Sequence, residues 1–312
     1  MTTCCSNATH LEWLAAYHPY HLQATIEKMP IDYDTLMAAS RTDVPIDYDT
    51  KDVILYALGV GFGSNPQDPL ELPYVFEQRG PHTIPTFASM LFPDEILMES
   101  GCDVGQALHR TQSLELFRPL PAIGNLLANQ KVISVIDRGA SQGAEIEIES
   151  ELRRASDDTV ICNLVNRIIA RADGGFGGPP PIARERHKIP DREPDLICDL
   201  QTRPDQALLF RLSGDLNPLH VDPSAANNAG FESPLLHGRC TYGIACHAVM
   251  KTVCDYDFTL ISGFDARFSS PVFPGDIVTT EMWQDRNIVS FRCKVNARNV
   301  VVINNGKCTL GG

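Results

Sequence analysis

No run of apolar residues in this sequence is long enough to cross a bilayer. The first ten residues lack the basic flank and apolar core of a secretion signal. The last three, Leu310, Gly311 and Gly312, are not a peroxisomal Ser-Lys-Leu address. Positive charge is also short: 26 Lys and Arg stand against 39 Asp and Glu, a formal net charge of −13. A nucleic-acid partner needs a basic face and is not expected. A small polyanion is still allowed, because a few local arginines can hold phosphates within an acidic protein. The ten cysteines follow no framework spacing. Without a secretion signal they are expected as reduced thiols. Cys240, Cys246 and His247 fall close together, but the rest of a four-ligand set is missing. No metal is expected there, and the cysteines read as buried small hydrophobes.

What is present is enough chain, 312 residues, for one large domain or two ordinary ones. Residues 1–46 read as an N-terminal extension. They contain the hexapeptide Pro-Ile-Asp-Tyr-Asp-Thr twice, at 30–35 and 45–50. One pair of copies is not a solenoid. A short amphipathic helix is expected over 11–28, and a further helix over 53–59 with Thr50 as N-cap. A strand is expected over 72–77 and a helical turn over 86–91. Strands then follow over 114–117, 131–138, 144–152 and 160–169, with the period-two alternation of a half-wet antiparallel meander.

Gly and Pro dominate 174–181, and a charged, proline-bearing stretch follows. A domain boundary is expected in this linker, 174–196, between a first half, 47–173, and a second, 197–312. The second half repeats the plan of the first. Helices are expected over 201–213, 225–229 and 238–253. Strands follow over 264–268, 277–284, 288–295 and 300–303. The helix over 238–253 is apolar on most faces and needs cover on several sides, which a curved sheet would give.

The chemistry concentrates in 211–238. Pro218 fixes its own backbone and pushes Asn217 out of helix, so Gly214-Asp215-Leu216-Asn217-Pro218 must turn sharply. That turn can bring Asp215 and His220 to one point, where a carboxylate and an imidazole around a water make an acid–base pair. Asn217 can orient the water or either partner. Taken singly, each residue has an ordinary structural reading: the Asp as a cap or turn residue, the His as a satisfied one. Asp222 reads as the cap of the helix that follows it. Gly238 begins the long helix, where unpaired N–H groups and the dipole favour a ligand oxygen such as a thioester carbonyl.

Together these residues are far more specific. The run Arg-Leu-Ser-Gly-Asp-x-Asn-Pro-Leu-His-x-Asp-Pro over 211–223, with Ala-Gly-Phe at 229–231 and Pro-x-Leu-His-Gly at 234–238, resembles the hydratase 2 motif of MaoC-like dehydratases. That type occurs as a region of peroxisomal multifunctional enzymes and as stand-alone eukaryotic hydratases. The stretches 52–61, 114–121, 174–178 and 271–276 are similar to the same family, so the likeness runs from about residue 47 to the C-terminus.

The resemblance implies an α+β double hotdog, each half a long central helix wrapped by an antiparallel sheet. The C-terminal half would be catalytic, and the N-terminal half would accommodate a long acyl chain. The implied reaction is reversible hydration of trans-2-enoyl-CoA to (R)-3-hydroxyacyl-CoA in fatty-acid β-oxidation. The implied catalytic residues are Asp215, His220, Asn217 and Gly238. Substrate contacts would come from His109, Arg110, Arg138, Leu216, Pro218, Leu219, His237 and Phe268. No metal or other cofactor is implied.

A homodimer, a peroxisomal setting, and a place within or beside a multifunctional β-oxidation enzyme are implied too. The chain departs from the family at Arg110, where Gly is usual, at Arg138, where Lys is usual, and at Arg239, Cys246 and His247. Two other readings of the same fold are a dehydratase acting on acyl carrier protein and a thioester-binding protein without turnover.

Overall fold

The alternation of the first half is realised as an antiparallel meander, and the computed structural model places it in a ten-stranded sheet. The structure describes residues 31–92, 95–98, 101–103 and 106–311; the helix expected over 11–28 lies outside them. The first half contains α1 (Tyr33–Met37), β1 (Ser40–Tyr48), α2 (Thr50–Gly59), α3 (Leu72–Val75), a 3₁₀ turn at Pro85–Met90 and α4 (Glu95–Met98). β2 (Ala107–Leu116), β3 (Gly124–Asp137), β4 (Ala144–Arg154) and β5 (Val160–Ala170) complete it. The second half contains β6 (Leu196–Gln201), α5 (Gln206–Phe210), 3₁₀ turns at Arg211–Ser213 and Pro218–His220, α6 (Pro223–Asn228) and α7 (Gly238–Thr252). Its meander is β7 (Ile261–Phe268), β8 (Ile277–Asp285), β9 (Ile288–Val295) and β10 (Val300–Leu310).

The strand order is β1-β3-β4-β5-β2-β7-β10-β9-β8-β6. Adding five to each strand of the first half gives the order of the second, so the halves share one topology. They meet edge to edge where β2 pairs antiparallel with β7, from Thr111 opposite Arg267 to Glu115 opposite Gly263. That seam removes two of the exposed edges that separate half-sheets would carry.

Twelve of the fifteen residues of α7 are buried. One side lies against the second half's sheet, in a cluster with Phe264, Val278, Phe291 and Val302. Another meets α2: a Cβ on Gly243 would stand 2.4 Å from Val60 Cγ1, so only glycine allows this approach. The long helix is thus realised in the second half. Among the described residues of the first half, the stretch between α2 and β2 holds only the short α3, the 3₁₀ turn and α4.

Several sequence expectations shift. The extension does not reach residue 46: Ile31 and Leu36 are buried, and β1 pairs along β3 from Ser40 to Tyr48. The N-cap of α2 is Asp49 rather than Thr50, in a capping box with Asp52. Residues 72–75 are a helical turn, because Pro73 suits a first turn and cannot donate to a ladder. Residues 196–201 form the edge strand β6, where a helix was expected to start at 201. Its hydrogen bonds to β8 override local propensity.

The linker is a strap rather than a tether with few contacts. Arg184 pairs with Glu147 on β4. His187 Nε2 meets Ser290 Oγ at 2.8 Å on β9, and Trp283 on β8 donates to the Arg192 carbonyl at 2.8 Å. Polar groups supply these contacts, and Phe176 adds an apolar one against the cluster of Ile146 and Ile168.

One buried polar knot ties α7 to the first half. His247 Nδ1 donates to the Val60 carbonyl at 3.3 Å, and Nε2 lies 3.2 Å from Glu71 Oε1. Tyr256 Oη and the Gly63 N–H also donate to Glu71, at 2.8 and 2.6 Å. Burial alone would raise the Glu71 carboxyl, but His247, Tyr256 and Gly63 hold it below its ordinary value. Its stabilising effect is therefore complete above the unfolded carboxyl value and fades as pH falls through the folded one. Glu71→Ala should cost about 3–5 kcal/mol by leaving buried donors unpaired. Chemical denaturation at neutral pH measures this, and a loss near zero would refute the role given to the knot.

Candidate active site

The turn before α6 gives Asp215 its position. Gly214 ends the Arg211–Ser213 turn at φ +121°, a conformation that a side chain disfavours. Asn217 Oδ1 accepts from Leu219 N–H at 3.0 Å, and the Asn217 N–H reaches Asp215 Oδ1 at 3.3 Å. Asn217 thus holds the turn through its amide oxygen. The Pro218–His220 turn then carries His220 back over Asp215. Asp222 caps α6 as the sequence suggests.

Asp215, His220 and His237 each place a carboxylate or ring atom within 4.8 Å of the others. The two rings stack, with centroids 3.8 Å apart and planes 28° from parallel. His220 Nδ1 lies 3.0 Å from the Leu235 carbonyl. A carbonyl can only accept, so Nδ1 carries the proton and neutral His220 presents a bare Nε2. By the same argument, His237 Nε2 donates to the Asp215 carbonyl at 3.1 Å.

Electrostatics keep these groups in complementary states. Burial would raise the Asp215 carboxyl, but His237, His220, Arg239 and His109 together hold it well below the carboxylate range. Burial lowers His220 from its ordinary 6.5, against the opposing pull of Asp215 and the Leu235 carbonyl. Burial, and then His220, push His237 down to about 3. At neutral pH the site holds a carboxylate and two neutral rings.

Gly238 opens α7, which has no side-chain cap, so the first N–H groups of the helix remain to meet a ligand. A Cβ at Gly238 would lie 3.6 Å from His109 Cβ and 3.7 Å from Phe268 Cε1. The seam strands therefore bring His109 and Phe268 together beside the helix start. Leu216 and Pro218 are half-buried in the turn. Leu219 departs from the expected ligand contact. Its side chain packs with Ala226, Ala229 and Leu235, and its carbonyl accepts from Leu235 N–H.

Arg110 and Arg138 lie near one another, and sequence reasoning missed their companions Arg186 and Arg267. Burial first, then Arg138, Arg186 and Arg167, lower the Arg110 guanidinium, with Glu145 opposing. Burial, then Arg110 and Arg186, lower that of Arg267. Arg110 follows His109 at a break in the β2–β5 register, and Arg267 precedes Phe268. The sequence signal was that adjacency to expected contacts. Arg239 was noted only as a departure; it is buried, and its charge acts on Asp215. Cys240 and Cys246 are buried thiols, and His247 belongs to the Glu71 knot.

Two half-sheets of one topology, joined at a seam and carrying a carboxylate and imidazoles at the foot of a central helix, define a double hotdog protein. Residues 46–172 match the MFE-2 hydratase 2 N-terminal domain, and 185–306 match the MaoC like domain. The chain is 36% identical over 289 residues to Enoyl-CoA hydratase 2, peroxisomal, of Arabidopsis thaliana, covering 86% of this chain and 93% of that one. It is 35% identical over 263 residues to Peroxisomal multifunctional enzyme type 2 of Mus musculus, covering 81% of this chain and 35% of that much longer one. The crystal structure of a MaoC-like dehydratase from Phytophthora Capsici superposes with a TM-score of 0.77 at 30% identity, covering 90% and 98% of the two chains. The chain belongs to the MaoC-like hydratase 2 family.

The ring states are open to direct measurement. Histidine NMR titration should find His220 titrating below 6.5 and His237 near 3. A His220 midpoint at or above 6.5 would contradict the neutral, accepting Nε2.

Proposed function

We propose that the protein is an enoyl-CoA hydratase of the R-specific type, acting on trans-2-enoyl-CoA in fatty-acid β-oxidation. The observation that carries this reading is the bare Nε2 of His220 beside the Asp215 carboxylate, close to an uncapped helix start. Both groups can only accept, so a water between them donates both its protons and turns a lone pair outward. Its oxygen bonds to C3 as His220 Nε2 takes one proton. The electron pair of the C2–C3 double bond moves toward the thioester oxygen, where the Gly238 N–H stabilises it. The proton then passes to C2, which restores the thioester and gives the 3-hydroxyacyl product. Asp215 stabilises the imidazolium between the two steps. Asn217 acts by holding the turn, and His237 by packing on His220.

The Arg110, Arg138, Arg186 and Arg267 group supplies cations for the phosphates of CoA, in a protein of net negative charge. No metal takes part in this scheme. A homodimer and a peroxisomal setting go with the reading, as does a role in, or beside, a multifunctional β-oxidation enzyme. The names of the plant and mouse relatives support the last two.

Purified protein should hydrate crotonyl-CoA, seen as loss of enoyl absorbance, with chiral analysis giving the R product and a chelator leaving the rate unchanged. Asp215→Asn and His220→Gln should each reduce kcat by about 100-fold or more. Full activity in both variants would sink the dyad. The arginines have a separate readout. Arg110→Ala combined with Arg267→Ala should raise KM for crotonyl-CoA about tenfold and leave that for crotonyl-pantetheine, which lacks the nucleotide phosphates, unchanged. Equal effects on both substrates would rule out a phosphate role.

A further inference from the structure

One side chain, that of His237, meets both members of the dyad. It belongs to the residue just before Gly238, and the His237 carbonyl accepts the Thr241 N–H at 3.0 Å, so the start of α7 fixes its backbone. On the other side, the Leu236 N–H donates to the Val272 carbonyl at 2.8 Å. The ring is fully buried, with its centroid 5.0 Å from that of Phe210 and 3.8 Å from that of His220. Its face meets His220. Its Nε2 edge meets the main-chain carbonyl of Asp215 at 3.1 Å.

Packing alone does not account for an imidazole in this place. Nδ1, on the opposite edge, is buried and has no hydrogen-bond partner among the described residues. An unmatched buried polar atom costs about 1–3 kcal/mol. Phenylalanine would cover His220 and Phe210 without that cost. What phenylalanine lacks is the Nε2–H, so the hydrogen bond to Asp215 is the contact that requires histidine.

Asp215 needs such a tether. Gly214 before it is exposed and stands at φ +121°, a region that glycine alone enters freely. Leu212 is 52% exposed, so the chain arriving at Asp215 is not gripped by the core there. After Asp215, the Asn217 N–H reaches the carboxylate at 3.3 Å and so orients the side chain rather than the main chain. The His237 bond ties the Asp215 main chain to the rigid helix that also carries Gly238. Carboxylate, imidazole and helix N–H are thereby held in one frame, and chemistry that depends on their spacing is sensitive to its loss.

We propose that His237 is a positioning residue whose Nε2–H, by holding the main chain of Asp215 against the start of α7, sets the spacing of the dyad. The inference rests on the hydratase reading above and gives His237 a role beyond packing on His220.

Two variants separate the hydrogen bond from the packing. His237→Phe keeps the ring face and loses the donor. His237→Gln loses the ring face and keeps an N–H near the place of Nε2. With crotonyl-CoA, His237→Phe should lower kcat about 100-fold and change KM less than about threefold, since a misplaced dyad slows the chemistry more than it weakens binding. His237→Gln should keep kcat within about tenfold of wild type. A kcat for the Phe variant equal to or above that of the Gln variant overturns the tether and leaves packing as the role of His237. If only the Gln variant folds, a loss of kcat as large as that of His220→Gln overturns it. The wild type gives a readout that needs no variant. Nitrogen NMR should find neutral His237 protonated at Nε2, and protonation at Nδ1 instead overturns the tether outright. A wild type that does not hydrate crotonyl-CoA removes the hydratase reading, while the NMR result still reports on the bond itself.

Discussion

The β2–β7 ladder is the constraint on which the rest of the molecule depends. Antiparallel pairing from Thr111 to Glu115 against Arg267 to Gly263 fuses two half-sheets into one. It also fixes which side chains face the start of α7. His109 and Phe268 come from different halves, yet a Cβ on Gly238 would touch both. A slip of one residue in that ladder would turn every side chain to the opposite face and take both away from the helix. The candidate site therefore sits where the halves join, as ligand sites often do at the junctions of packed units.

The two halves share a topology and diverge in what covers the sheet. In the second, α7 seals the inner face with apolar side chains and presents its first N–H groups to the site. In the first, the described residues hold short turns instead of a long helix, and the sheet carries polar side chains midway along β3, β4 and β5. Duplication of a plan thus gave two faces with different work. The helix-covered face supports Asp215, His220 and His237, and the first half's face lies against Ser89, Phe92 and Ile96.

Short-range features were legible in the sequence, and long-range ones were not. The Gly214 to His220 turn could be read because its constraints are local: a glycine at positive φ, an Asx-type bond and a proline. The neutral state of His220 could not, since it depends on Leu235 fifteen residues away and on the stacked ring of His237. Arg267 was overlooked beside an expected contact because its partners Arg110 and Arg186 lie on other elements. The strap over 174–196 was read as a tether for a similar reason. Composition does not show which partners a strap will meet, and most of its anchors are polar groups on distant strands.

The hexapeptide that occurs twice shows the division most plainly. In the copy at 30–35, Asp32 caps α1; in the copy at 45–50, the first four residues are strand and Asp49 caps α2. One local sequence takes two structures because only the second copy lies along β3 and can use its hydrogen bonds. By itself the sequence determined the family, the meander periods, the helix over 238–252 and the turn that holds Asp215 and His220, all of which follow from short-range pattern and sterics. Tertiary structure alone decided the seam, the protonation states and the arginine group, because each is a meeting of residues far apart in the chain.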